Sequence, residues 1–188
     1  NKRNSDYAMN KLKIIENMGF SITWKLILVG LFGRDQISAL LTCEEMFDYL
    51  DEKLNVIDEK TDDIILVICE RDDIIRAKTV VQKLAKKEHS ELSLQIRKWR
   101  AYILKDTLDN LNSDFLQAIL QLMNFWVLMG MPKDCPQEFP LQNNKLSKKE
   151  YFTRKMLEII ISQNTEWLKN EVDDIINIEK GQKLKQYN

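Results

Sequence analysis

Few residues in this sequence could act as nucleophiles, general bases or metal ligands. The single histidine, His89, follows Glu88 in a charged turn, where we expect an exposed side chain rather than a general base. The cysteines Cys43, Cys69 and Cys135 are odd in number and widely spaced, so neither a disulfide framework nor a Cys/His zinc site is indicated. We therefore predict reduced thiols in a cytoplasmic protein that needs no metal and no cofactor.

Glycine and carboxylate motifs give equally little support to catalysis. Gly30 and Gly33 frame the sequence Gly-Leu-Phe-Gly, which lacks the lysine and the preceding strand of a phosphate-binding loop. Two Asp-Asp pairs, at 62–63 and 72–73, occupy predicted helix starts, where capping explains them. We therefore expect no enzyme. One alternative stays open, because distant carboxylates can converge on a metal ion once the chain is folded.

Charge is distributed unevenly, although 28 basic and 29 acidic residues leave a formal net charge of −1. We call residues 44–63 the acidic band and residues 76–105 the basic band. The acidic residues that we predict to contact a partner are Glu44, Glu45, Asp48, Asp51, Glu52, Asp58 and Glu59. The cations of the basic band are Arg76, Lys78, Lys83, Lys86, Lys87, Arg97, Lys98, Arg100 and Lys105.

Two interpretations of these bands are open. Each band is either a solvated helix surface, attracted to the other band within the monomer, or a surface that meets a partner of opposite sign. On the second interpretation, the acidic band fits a cationic protein such as a basic nuclease. The alternative is an adaptor that binds nucleic acid through Arg97, Lys98 and Arg100. We do not expect it, because no recognition motif accompanies these residues and Trp99 falls on an apolar stripe.

Helices must position these side chains, because hydrophobic spacing indicates helix almost everywhere and only 5 Gly and 3 Pro occur in 188 residues. With 44% hydrophobic residues, the chain has enough apolar material for one ordinary core. We predict an all-α fold, a single-domain bundle of seven or eight helices over residues 1–188. A central apolar helix is expected at about 114–130, and short polar tails at 1–5 and 180–188.

Capping residues predict where individual helices begin and end. Gly19 stops a helix over residues 6–18, and Thr23 caps the next one. A Thr-x-x-Glu capping box at 42–45 opens a third helix, with an earlier start at Ser38 equally open. A Ser-x-x-Glu box at 147–150 opens a C-terminal helix whose apolar face comprises Tyr151, Met156, Ile159, Ile160, Trp167 and Val172.

Two apolar segments need a choice between structures. Residues 62–70 are favoured as helix over strand, because no second strand-like run exists to pair with them. Residues 115–132 carry no charge but include three amides, so we predict a wholly buried helix and no membrane contact. Further helices are expected to begin at Asp72 or Asp73, at Ser90, and at Asn112 or Ser113.

The hydrophobic and turn positions also resemble a family of small bacterial all-helical proteins of unknown function. The similarity runs from Ile22 to Trp167. It includes the apolar run 64–69, the helix with Trp99 and Leu104, and the region 125–140. Its opening pattern is Ile22-Thr23-Trp24-Lys25, Ile27-Leu28, Gly30-Leu31 and Ile37-Ser38. Such families resemble immunity proteins of polymorphic and contact-dependent growth inhibition toxins. The resemblance implies a non-catalytic protein that neutralises a cognate toxin domain, and it offers no catalytic residues to carry over.

Overall fold

A computed structural model describes residues 9–55, 61–136 and 147–186, and every regular element in these ranges is an α-helix. The predicted all-α class is thereby confirmed. These ranges hold nine helices, against seven or eight expected: α1 Lys11–Asn17, α2 Trp24–Phe32, α3 Cys43–Lys53, α4 Thr61–Ile68, α5 Ile74–Lys87, α6 Leu92–Asp109, α7 Phe115–Leu128, α8 Lys148–Tyr151 and α9 Arg154–Gln186.

Contacts divide the chain into an N-terminal unit, residues 1–96, and a C-terminal unit, residues 97–188, with the boundary inside α6. The prediction of one domain stays a prediction.

In the N-terminal unit, α2 is the most buried helix and packs against α5. Its apolar residues face inward nearly all around, as expected for a helix with neighbours on several sides. The helix pairs α1–α3, α3–α4 and α4–α5 complete the packing. The segment that was ambiguous between helix and strand is α4, so the preference for helix is confirmed.

Helix ends in this unit follow the local capping signals. Thr23 Oγ1 accepts from the Leu26 N–H at 3.0 Å, and the capping box of Thr42 and Glu45 is complete. Because α3 therefore begins at Cys43, the alternative start at Ser38 is wrong. The predicted start of the first helix is also too early, since Asn10 caps α1 and the helix begins at Lys11. Residues 6–8 lie outside the described residues.

The core of the C-terminal unit lies between α7 and the first turns of α9, with Leu104 of α6 and Tyr151 of α8. Trp126 Nε1 donates to Asn164 Oδ1 at 2.7 Å, and the Asn164 amide donates to the Ile160 carbonyl at 2.8 Å. A buried indole N–H and a buried amide therefore satisfy each other. The other buried core residues are Ile119, Leu122, Phe125 and Ile160.

Three expectations for this unit are wrong. Asp114, rather than Asn112 or Ser113, caps α7 by accepting from two backbone N–H groups. The helix α7 is not wholly buried, because Val127 is 56% exposed and several other apolar side chains also face solvent. The helix opened by the capping box of Ser147 ends after one turn, and Thr153 caps the separate α9, its Oγ1 accepting from the Met156 N–H. That helix continues to Gln186, so residues 180–186 are helical.

Candidate protein-binding surface

The acidic band lies largely on α3, and its residues have different roles. Glu45 completes the capping box and also binds Lys11, with Nζ 2.6 Å from Oε1. Partial burial alone would raise the pKa of Glu45. The hydrogen bonds from Lys11 and Thr42 outweigh this effect, so its pKa lies below the ordinary value. Glu45 is therefore a structural residue of the α1–α3 contact, and we remove it from the predicted contact set.

Two more of the predicted contact residues are held by cations. Glu52 pairs with Lys13, and Asp51 pairs with Arg71, each at 2.5 Å. Part of the band is therefore neutralised within its own unit. The first interpretation of the bands predicts that the partners of these acids lie in the basic band. They do not. Asp58 and Glu59 lie outside the described residues.

Glu44 and Asp48 remain available for a partner. They lie one helical turn apart on α3 and are both exposed. Within the part of the chain that the structure describes, neither carboxylate has an ion-pair partner. We call these two residues the acidic face.

An apolar surface that sequence reasoning missed lies on α4 and α5, and α4 packs against α3. At the end of α4 and the start of α5, Ile65, Leu66, Ile74 and Ile75 are exposed, and Ile75 reaches 79% exposure. We call these four residues the α4–α5 corner. The sequence contained a signal for half of it, because helical periodicity directs Ile64 and Val67 inward and leaves the two residues between them outside.

Arg71 connects the corner to α3. Its guanidinium binds Asp51 and lies 5.0 Å from the centre of the Phe47 ring. Cation–π contact and ion pairing act on the same group, so they hold the turn between α4 and α5 against α3. The acidic face and the α4–α5 corner thus belong to two elements that are fixed to each other.

The cations of the basic band differ in the partners that they bind. In the C-terminal unit, Arg97 binds Glu171 through Nε at 2.9 Å and through Nη2 at 2.7 Å, while Arg100 Nη2 binds the same carboxylate at 2.8 Å. Lys98 is fully buried and pairs with Glu179 at 2.6 Å. The three cations of the nucleic-acid alternative are therefore already bound to carboxylates of α9. Trp99 is fully buried, as its place on the apolar stripe predicted.

The pKa values of this network reflect the same contacts. The hydrogen bonds that Arg97 donates to Glu171 are the main cause that raises the pKa of Arg97, against the opposing effect of its burial. Burial would raise the pKa of Glu171, but the hydrogen bonds from Arg97 and Arg100 bring it below the ordinary value. At neutral pH Arg97 and Glu171 are both charged, so the contact between them is an ion pair.

A cavity of about 290 Å³ in the N-terminal unit has one polar end. There Lys53 Nζ binds both oxygens of Glu16, at 2.6 and 2.8 Å, and Tyr49 donates to the same carboxylate at 3.2 Å. Burial, followed by the charge of Glu16, raises the pKa of Tyr49 well above its ordinary value. The phenol stays protonated at neutral pH and serves as a donor rather than a base.

The side chains considered for catalysis or metal binding are dispersed. His89 is exposed, as expected, and Cys43, Cys69 and Cys135 lie in different parts of the fold. Over residues 9–55, 61–136 and 147–186, no group of three or more His, Cys, Asp or Glu side chains is placed to hold a metal ion. In the same ranges no helix combines the length and the apolarity that crossing a bilayer requires.

Comparison with known proteins identifies a family. No curated protein and no solved structure matches the chain. A family model described as "uncharacterized protein conserved in bacteria" matches residues 12–172, which is well over half of the chain. The match confirms the resemblance to a bacterial family of unknown function, and the chain therefore belongs to this family, DUF2247.

Proposed function

We propose that this chain is an immunity protein that binds a cognate bacterial toxin domain in the cytoplasm and neutralises it without catalysis. The observation that carries the proposal is the combination of the acidic face with the exposed α4–α5 corner. Exposed aliphatic side chains and exposed carboxylates on two elements that pack together would suit a protein that is itself apolar and basic.

The two parts of this surface have different tasks. The aliphatic corner gives area that can be removed from water, at roughly 25 cal/mol per Å² of apolar surface. Glu44 and Asp48 add long-range attraction, which chiefly raises the association rate of a cationic partner. A basic nuclease domain has the charge that this surface would attract.

Rigid presentation also supports the proposal. The complete capping box fixes the start of α3, while the ion pair between Asp51 and Arg71 fixes the corner. A surface already held in its binding conformation loses little conformational entropy when a partner binds. Neutralisation then requires only that the bound chain covers the active site of the toxin or the approach to it.

The test first asks whether the gene immediately upstream encodes a large secreted protein, and takes the C-terminal domain of that protein as the partner. We expect it to co-purify with this chain and to lose its toxicity when the two are co-expressed. The double variant Glu44→Lys, Asp48→Lys should slow association by about tenfold or more. The matched control is Glu158→Lys, Glu166→Lys, which makes the same charge change at exposed positions of α9.

A second pair of variants tests the apolar part. Leu66→Ala, Ile75→Ala should speed dissociation, whereas Leu120→Ala, Val127→Ala, at exposed positions of α7, should not. Equal effects of test and control variants would remove this surface from consideration. Failure of the chain to bind the toxin domain and to protect against it would refute the proposed function. Salt-sensitive binding of an oligonucleotide instead would favour the nucleic-acid alternative.

A further inference from the structure

A groove of about 420 Å³ lies between α2 and α5 in the N-terminal unit, away from the acidic face and the corner. Leu28, Phe32 and Leu92 supply apolar lining. Arg34, Gln82 and Lys86 supply polar groups, and no carboxylate lines the groove. It is therefore apolar inside and positively charged at its edge.

Most cations on α5 and the arginine after α2 differ from four cations elsewhere in the unit. Lys11, Lys13, Lys53 and Arg71 each pair with a carboxylate. In contrast, no ion pair is formed, within residues 9–55 and 61–96, by five cations on α5 or directly after α2, namely Arg34, Lys78, Lys83, Lys86 and Lys87.

Complementation of the α5 dipole explains part of this concentration of charge. Lys86 and Lys87 lie in the last turn of α5, where cations are favoured. Arg34 follows the C-terminus of α2, whose dipole favours a cation in the same way, whereas Lys78 and Lys83 lie away from the last turn of either helix. An unbalanced positive potential therefore surrounds the groove.

The backbone holds Arg34 beside the groove. Arg34 and Ile37 exchange two backbone hydrogen bonds, at 2.8 and 2.9 Å, and the Leu40 and Leu41 N–H groups both donate to the Gly30 carbonyl. Gly33, at the start of this turn, has φ +73°. The turn is thus closed by four hydrogen bonds and places its arginine in one position.

Phe32 gives the groove an accessible apolar group. Its side chain is 43% exposed, and Lys78 Nζ lies 5.3 Å from the centre of its ring. An aromatic ring next to a cation suits a ligand in which a negative charge follows an apolar side chain. The ring contacts the apolar side chain, and the ammonium group contacts the negative charge. The groove thus offers both an apolar contact and a positive charge, which an amphipathic acidic segment needs.

We infer that this groove binds an acidic peptide segment of a partner protein, with leucine-like side chains in the groove and carboxylates on Arg34 and Lys86. The inference goes beyond the proposed toxin-binding surface, because it concerns other elements and a ligand of opposite charge. An acidic tail or linker in a neighbouring domain has the required chemistry, and the groove would accept it in extended or helical form.

The test measures binding of a fluorescent peptide of alternating leucine and glutamate, about 12 residues long. We expect fluorescence anisotropy to show micromolar binding that weakens as salt is raised. The variant Arg34→Glu, Lys86→Glu should weaken binding by about tenfold or more. The control variant Lys83→Glu, Lys87→Glu has the same net charge change on neighbouring positions that do not line the groove, so its affinity should fall by less than about threefold.

A further variant tests the apolar contact. Phe32→Ala should weaken peptide binding, while Val127→Ala, an exposed truncation on α7, should leave it unchanged. Circular dichroism of every variant verifies the helical fold. Peptide binding and toxin binding are independent readouts, because neither Arg34 nor Lys86 belongs to the acidic face or the corner.

Several results would overturn the inference. Equal losses in the groove variant and the lysine control would show diffuse charge attraction. Undetectable peptide binding at low salt would show that the groove has no such ligand. Binding to phosphatidylserine vesicles in preference to the peptide would assign the groove to a membrane surface. Concentration-dependent dimerisation that is lost in the groove variant would assign it to a second copy of the chain.

Discussion

Glu171 should contribute strongly to the stability of the C-terminal unit. It is 8% exposed and accepts three hydrogen bonds from two guanidinium groups, at 2.7 to 2.9 Å. Asp174 lies one turn further along α9 and binds the same Arg97 Nη2 at 2.6 Å, but its side chain is 59% exposed. Two carboxylates on one guanidinium thus differ in burial and in the number of hydrogen bonds that they accept, so their comparison tests both together.

The expected magnitudes follow from that difference. Removing one member of a buried ion pair costs about 3–5 kcal/mol, because the remaining charge stays buried without its partner. The side chains of Arg97 and Arg100 are 29% and 18% exposed, so water compensates part of the loss. We therefore expect Glu171→Gln to lower the free energy of unfolding by about 2–3 kcal/mol. Asp174→Asn should lower it by less than about 0.5 kcal/mol.

Urea denaturation at pH 7 measures both variants. Tryptophan fluorescence reports mainly on the C-terminal unit, because three of the four tryptophans, Trp99, Trp126 and Trp167, lie in it; Trp24→Phe in the background of every variant removes the signal of the N-terminal unit. At an m-value of about 1–3 kcal/mol/M, Glu171→Gln should lower the midpoint by roughly 0.7–3 M. Losses of equal size in the two variants, or a loss below about 1 kcal/mol for Glu171→Gln, would show that burial does not determine the strength of this network.

Two further predictions concern backbone strain and acid. Gly33→Ala should destabilise the chain by about 2–4 kcal/mol, because an added Cβ would meet the Ile37 carbonyl oxygen at 2.9 Å at a positive φ. Gly181 lies in a helix with free space around its Cα, so Gly181→Ala should stabilise the chain by about 0.5–1 kcal/mol. Thermal melts of both variants test these two expectations. Glu45 and Glu171 have pKa values below the ordinary 4.5, so their stabilisation is full above that pH and is lost as pH falls through the lower folded values. Between pH 7 and about pH 3, the urea midpoint should therefore decrease mainly at pH values below the ordinary pKa of these carboxyls. The decrease should be less steep in Glu171→Gln. An equally steep decrease in that variant would contradict the role assigned to Glu171.

Several local signals in the sequence predict helix starts correctly, because the capping partners are near in the chain. Thr23 and Asp73 cap helices within three residues of themselves, and the capping box of Thr42 and Glu45 spans the same distance. The start of α9 is signalled just as locally by Thr153, but the apolar face that follows the box at 147–150 predicts one continuous helix through this residue. Such side-chain-to-backbone bonds depend on few neighbours, so they can be predicted from the sequence.

Contacts across long separations could not be predicted in this way. The carboxylate of Glu88 accepts from the Trp24 and Lys25 N–H groups, both at 2.9 Å, and thereby satisfies the start of α2 from more than 60 residues away. Nothing in the sequence near Glu88 distinguishes it from an ordinary charged residue in a turn. Its role exists only because α2 packs against α5, which is a property of the fold.

The same separation decides which charged residues can serve as a binding site. A run of acids predicts a negative surface, but each distant cation that pairs with one of them removes that acid from the surface. On α3, such pairing leaves Glu44 and Asp48 as the positions to test. Charge reversal at Asp51 or Glu52 would break its ion pair with Arg71 or Lys13 and so change stability together with binding. Loss of toxin affinity in those two variants would therefore not identify a contact, whereas loss in the variants of the acidic face would.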